Sequence, residues 1–265
     1  MRRLLMFAFA LTLAAPALAD PTPPGVNLRW DNCYSDGGVI NKTFACDRNT
    51  GTETLVMSFL LDEDMLDVSG MESRLFLIPA SPTMPSWWSM KNVGTCRPSS
   101  LSLGTTLPLG SLNCADWASG NAAGGIGSYS AGSLILGPVS MVLQVAAAVP
   151  LYGIASLAAN QEYFCGSLTI NHAKTVGTGA CGGCEVPVCI VFDRLRITTL
   201  ASGLQVLNGA NGPDSQFARW QNGEESNVTL NYSGQNFGYY HSYNCQLSST
   251  PTRNSTWGAV KALYR

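Results

Sequence analysis

The stretch VCIVFDRLRITT, residues Val188 to Thr199, decides the fold class. Val191, Leu195 and Ile197 fall on one face of an extended chain and Arg194, Arg196 and Thr198 on the other, because successive strand side chains point to opposite sides. The same period of two brings Val26, Leu28 and Trp30 to one side of Asn27 and Arg29. Further strand candidates are Thr54–Leu61, Ser73–Ile78, Ser140–Val149, Tyr163–Asn171, Gln216–Trp220 and Asn227–Tyr232. Turn formers punctuate them at Ser35-Asp36-Gly37-Gly38, Asn49-Thr50-Gly51, Asn208 to Pro213 and Ser233-Gly234. No central stretch keeps a helical period for three turns. The pattern predicts an all-β protein, an antiparallel β-sandwich of jelly-roll type, occupying residues 20–250 as one unit.

Two segments break the pattern. Ala118 to Pro138 carries six glycines and no charge, which predicts a long mobile crossover loop, and it lacks the glycine spacings that cradle phosphate. The C-terminal tail, residues 251–265, ends in TWGAVKALYR, where Trp257, Val260, Leu263 and Tyr264 recur at helical spacing behind Ser255 and Thr256. A short docked helix and a sorting signal both fit that tail.

Compartment follows from the other terminus. Met1-Arg2-Arg3, the apolar run Leu4 to Leu13 and the small residues of Ala17-Leu18-Ala19 have the form of an export signal over residues 1–19, cleaved before Asp20. The run is shorter than the ~20 residues that span a bilayer as a helix. Loss of Arg2 and Arg3 takes the formal charge from −2 to −4. That mild acidity leaves no basic footprint for nucleic acid and no polybasic patch for anionic lipid. With 46% hydrophobic and 12% charged residues, the chain is composed as a packed, loop-rich domain rather than a disordered segment. A secreted, extracellular or cell-surface protein is expected, with the periplasm as a second compartment.

In an oxidising compartment nine cysteines predict a disulfide framework. Short separations suggest Cys33 with Cys46 and Cys96 with Cys114. Cys181, Cys184, Cys189 and Cys245 then form two further bridges of open connectivity, and Cys165, in an apolar strand pattern, is left as a buried thiol. The rival for the dense GACGGCEVPVC stretch is zinc, held by His172, Cys181, Cys184 and Cys189, since C-x-x-C is a common zinc corner. A redox role for Cys181-Gly182-Gly183-Cys184 needs a helix N-terminus, and its flanks read as strand. Disulfides are the expectation, with no cofactor.

Pro85-Ser86-Trp87-Trp88, Thr95-Cys96-Arg97, the run from Asn171 to Cys184 and the terminal Thr256 to Arg265 resemble a family of uncharacterised secreted bacterial proteins from environmental genomes. The resemblance covers most of the mature chain, and the cysteine knot and terminal decapeptide are its specific parts. It implies a secreted bacterial protein, carries no activity, and implies that Cys165, without an obvious counterpart in the family, is the odd thiol.

Catalytic signals are weak. Only His172 and His241 are available for a Ser-His-Asp arrangement, and neither neighbours a G-x-S-x-G elbow or an H-E-x-x-H helix. Asp62, Glu63, Asp64 and Asp67 cluster in one turn without the spacing of an EF-hand, and read as a solvated patch. For binding, Trp87 and Trp88 are the candidates for an aromatic platform that stacks a sugar, with Trp220 and Tyr239-Tyr240-His241 behind them, although tryptophans are mostly buried. The sequence therefore predicts a non-enzymatic interaction or structural protein whose partner is an extracellular glycan or protein. A carbohydrate-binding module is the second reading and a secreted hydrolase the third.

Overall fold

The computed structural model describes residues 24–91, 96–133, 137–210, 212, 214–223, 228–230 and 241–243. Residues 1–19, expected as an export signal, and Cys245, Tyr239, Tyr240 and the C-terminal tail lie outside the described residues. The strands, in chain order, are β1 (Gly25–Trp30), β2 (Asn41–Lys42), β3 (Thr52–Leu60), β4 (Met65–Pro79), β5 (Leu101–Gly104), β6 (Cys114–Asp116), β7 (Ala123–Ser133), β8 (Gly137–Ala148), β9 (Ala155–Leu157), β10 (Glu162–Asn171), β11 (Val188–Thr199), β12 (Gly203–Asn208), β13 (Phe217–Trp220), β14 (Val228–Leu230) and β15 (His241–Tyr243). Two single-turn 3₁₀ segments, Ser86–Trp88 and Leu151–Gly153, are the helical structure among the described residues.

The strands form an all-β sandwich. One sheet has the order β1-β3-β10-β5, with β6 added beside β10; the other runs β2-β13-β11-β4-β8-β7, with β12 on β11 and β9 on β4. Pairing is antiparallel except for two short parallel contacts, β6 with β10 and β2 with β13. β14 and β15 make a separate hairpin. No helix of the described residues is long and apolar enough to cross a membrane.

The core lies between the two inner faces. Leu28, Trp30, Met57, Phe59, Leu168 and Ile170 come from the first sheet and meet Leu75, Leu77, Leu143, Ile190 and Leu195 from the second. The strand that opened the sequence reading is in place, but its faces are not those of a regular alternation. A bulge between Phe192 and Arg194 inserts one residue. Val188, Ile190 and Phe192 therefore share the core side with Leu195 and Ile197, while Val191 turns outward to Phe76, Ile78 and Phe217. The extra residue, Asp193, forms a buried ion pair with Arg74. β1 departs similarly: Asn27 and Arg29 are as buried as the apolar residues between them, because loops cover the outer face of their sheet.

The glycine-rich segment is not a long loop. Most of it is β7, which pairs antiparallel with β8 along its length. A methyl group at Gly124 would stand 2.4 Å from the carbonyl oxygen of Ala146, so here glycine permits close backbone approach. Residues that small carry no visible alternation of apolar and polar side chains.

Candidate functional site

Register divides the sandwich into two ends. Trp30, Thr52, Leu101 and Asn171 finish at one end of the first sheet, as do Pro79, Val188 and Trp220 in the second. At the other end lie Leu60 and Glu162 in the first sheet and Met65, Ala123, Ala148 and Gly203 in the second. Most of the residues singled out from sequence gather at the first end, where connections 31–51, 80–100 and 172–187 are long.

That first end is stapled. Cys46 bonds Cys184 and Cys96 bonds Cys181. The pairings expected from short separation, Cys33 with Cys46 and Cys96 with Cys114, are both replaced, because each staple joins loops from different hairpins rather than closing one. Cys33 instead bonds Cys114 on the outer face of the first sheet. Cys189 is disulfide-bonded as well, and Cys165 is a buried free thiol pushed up to about 12 by burial. The alternative zinc set, His172 with Cys181, Cys184 and Cys189, has no thiolate to offer. Gly183 sits at φ 90° with Pro85 packed where a side chain would start, so the C-G-G-C turn is shaped to seat the Trp87 loop.

Trp87 and Trp88 are not a platform. Both are fully buried, as is Trp220. Trp87 stacks on Trp220 with ring centres 5.0 Å apart, and Trp88 meets both edge-on. Their rings plug the stapled end, so none presents a face to a ligand. Over Trp87, at 3.7 Å, lies the guanidinium of Arg97. It donates to the carbonyls of Trp87 at 2.7 Å, Ala173 at 2.9 Å and Asn171. Burial pushes this guanidinium down to about 10.

His172 is buried beneath the same loops and stacks on Phe44 at 3.8 Å. Its Nδ1 donates to the Thr50 carbonyl at 2.8 Å, and its Nε2 lies 3.1 Å from Glu53 Oε1. The other oxygen of Glu53 meets Lys42 Nζ at 2.9 Å, and Lys42 also reaches Asp31 at 2.7 Å. Burial lowers the lysine, but these two carboxylates outweigh it and hold Lys42 above its ordinary value. The ring thus meets an acceptor at one nitrogen and a carboxylate at the other, and among the described residues no hydroxyl or thiol nucleophile is paired with either. His241 is the first residue of β15, away from this network in the chain.

Glu162 organises the outer face of the first sheet. Its carboxylate accepts from the backbone N–H groups of Tyr34 at 3.1 Å and Ser35 at 2.8 Å, and from Asn27 and Ser58. Asp36, in the same loop, accepts from the N–H groups of Leu112, Asn113 and Cys114. Slight burial opposes its ionisation, but these donors prevail and hold the Asp36 carboxyl below the usual range.

The second end is built differently. A pocket of about 410 Å³ opens there between Ala115–Asn121 and Tyr152–Leu157, with Tyr163 in its wall. Asp116 fixes its own turn: Oδ1 accepts from Ala118 N at 2.9 Å and Oδ2 from Gly120 N at 2.8 Å. Tyr152 stands at the pocket 87% exposed and the adjacent Leu151 81%, and Leu66 and Leu200 are also exposed at this end. Of the acidic turn, Asp64 accepts from Ala159 N at 2.8 Å. The sequence reading touched this end only at the acidic turn and the start of the Ala118–Pro138 segment and gave no role to Pro150-Leu151-Tyr152-Gly153, which sets two large apolar residues inside a turn flanked by proline and glycine.

No protein-family model, no curated protein and no solved structure matches the chain.

Proposed function

We propose that the protein is an exported, non-catalytic recognition module that meets its partner through the end opposite the Cys46–Cys184 and Cys96–Cys181 staples. One observation carries this reading: the pocket and two large, mostly exposed apolar side chains of the β8–β9 turn, Leu151 and Tyr152, share that end. Apolar residues held out in water on a scaffold already stapled elsewhere mark an interaction surface. The staples support placement outside the cytoplasm, where disulfides persist. A hydrolase is less well supported, because His172 is enclosed by Phe44, Thr50 and Glu53.

Retention of the purified mature protein on isolated cell envelopes tests the reading. Charged variants at the open end, Leu151→Asp with Tyr152→Asp, are expected to release it, while Arg48→Glu, on an exposed residue of the stapled end, is not. Release by Arg48→Glu alone would place the binding face at the wrong end. Turnover of ester, peptide or glycoside substrates that disappears in His172→Ala would replace recognition with catalysis.

A further inference from the structure

We infer that the pocket at the open end is a saccharide subsite, selective for a neutral or amino sugar, with one ring packed on Tyr152. This rests on the reading that the open end is the binding end, and adds the ligand class. At about 410 Å³ the pocket lies toward the small end of ligand sites and suits one or two sugar rings better than a peptide segment.

Its chemistry is that of a polyol binder. A sugar ring offers an apolar C–H face and a rim of hydroxyls that both donate and accept. Tyr152 supplies an open aromatic face at the edge of the pocket. Inside, the Asp116 carboxylate is fixed by one backbone N–H on each oxygen, which leaves lone pairs on both for sugar hydroxyls. Tyr163 accepts from Ala158 N at 2.9 Å, so its own hydroxyl hydrogen remains to be donated. Ser119 and Ser156 add hydroxyls that can act either way. The set is therefore matched in donors and acceptors, with an aromatic wall beside it.

Charge narrows the class. Among the described residues no lysine, arginine or histidine lines the pocket, while Asp116 does, and Asp64 is anchored to the neighbouring Ala159. A uronic acid or sulfated sugar would bring its anion against a carboxylate with no cation to receive it. An amino sugar gains from the same arrangement.

The wall is also set before ligand arrives. Cys114 directly precedes Ala115, is bonded to Cys33, and donates its N–H to Asp36 at 3.0 Å. The Asp116 turn follows at once. Little ordering remains to be done on binding, which favours affinity from a small contact area.

The test is a calorimetric and backbone amide NMR titration of the mature protein with glucose, galactose, glucosamine, glucuronic acid and their disaccharides. The expected result is saturable binding of neutral or amino sugars, with shifts centred on residues 115–121 and 152–157. Glucuronic acid should bind at least tenfold more weakly than glucose. Tyr152→Ala and Ser156→Ala should each weaken binding several-fold or more at unchanged melting temperature, and the second keeps the test valid if the first perturbs the turn. Shifts centred elsewhere, or a preference for glucuronic acid, would overturn the inference. If no sugar binds while the Leu151 and Tyr152 charge variants still abolish envelope retention, the saccharide falls and the recognition surface stands. If retention is also unaffected, both fall.

Discussion

The two ends of the sandwich invert what their residues suggest. The stapled end holds four tryptophans, a histidine, a buried arginine and four cysteines, yet it turns all of them inward on the packed loops. The open end has a pocket framed by alanine, serine, tyrosine and one aspartate, and leaves its large apolar groups in water. Connection length explains the difference. Long loops cannot satisfy their backbone groups in a sheet ladder, so they need other partners and covalent ties. Arg97 donates to the carbonyls of Trp87 and Ala173 in those loops and to that of Asn171 at the end of β10, and the disulfides join the loops in pairs. At the open end the turns at 61–64 and 200–202 are short and need no such support. Reactive residue types here mark where the chain is hardest to hold, and not where it works.

The largest expected effect breaks the staples. Cys46 and Cys184 are 138 residues apart, and the chain-entropy estimate for such a loop is roughly 5 kcal/mol. The double variant Cys46→Ser, Cys184→Ser should lower the melting temperature by about 10–20 °C at this chain size. A melting curve unchanged by that removal would mean the loops hold themselves, and the contrast between ends would fail. Alkylation of the native protein should meanwhile block no thiol, and a single thiol, that of buried Cys165, once it is denatured.

Arg97 comes next. Arg97→Met leaves the Trp87, Ala173 and Asn171 carbonyls without their donor, at about 1–3 kcal/mol for each buried group that water cannot reach. A net loss of about 3 kcal/mol is expected in denaturant unfolding. Arg97→Lys should recover less than half, because a compact ammonium has no plane to lie over the Trp87 ring. Full rescue by lysine would reduce the contact to simple charge.

Much of the sandwich was legible beforehand, and the reasons are particular. β11 was found with its full range because Val188–Thr199 is rich in β-branched residues and long enough to show its period. Its face assignment slipped at Asp193, since a bulge is a backbone event that period-two reading cannot carry across. β7 was missed because Ala123–Ser133 stabilises the sheet through backbone pairing, with little side-chain pattern to read. Disulfide formation could be anticipated from the export signal expected over residues 1–19 and the cysteine count, whereas the partners depend on which loops meet at one end of the folded sandwich. The pocket left the faintest trace, because its polar groups are ordinary serine, tyrosine and aspartate residues distant in sequence.

A smaller effect tests the bridge between the two regions. The Asp36 loop leaves the stapled end at Trp30 and reaches Cys114, beside the pocket wall. Slight burial works against its charge, yet the N–H groups of Asn113, Leu112 and Cys114 keep its carboxyl below the ordinary value. A carboxyl depressed in the folded state contributes stability that is complete above about pH 4 and is lost as pH falls through the folded value. Between pH 7 and pH 3 the wild type should therefore lose more melting temperature than Asp36→Asn, which has no charge to lose. Equal losses would show that these hydrogen bonds do not tie the loop to the pocket wall.

The smallest expected effect is a near-zero shift, and it bears most directly on the contrast. Leu151 and Tyr152 follow Pro150 in a single 3₁₀ turn, and most of each side chain is in water. Truncation of such groups removes little buried surface, so Leu151→Ala with Tyr152→Ala should change stability by no more than about 0.5 kcal/mol. That corresponds to about 1–2 °C in melting temperature. Trp88→Ala is the matched control, since its ring is fully buried against Trp87 and Trp220, and a large aromatic removed from a core costs about 3–5 kcal/mol. If the Leu151 and Tyr152 pair costs as much as Trp88, the turn is a second plug and the open end is as structural as the stapled one. If it costs almost nothing while envelope retention or sugar binding is lost, residues the fold does not need are kept exposed for a partner, and recognition accounts for them.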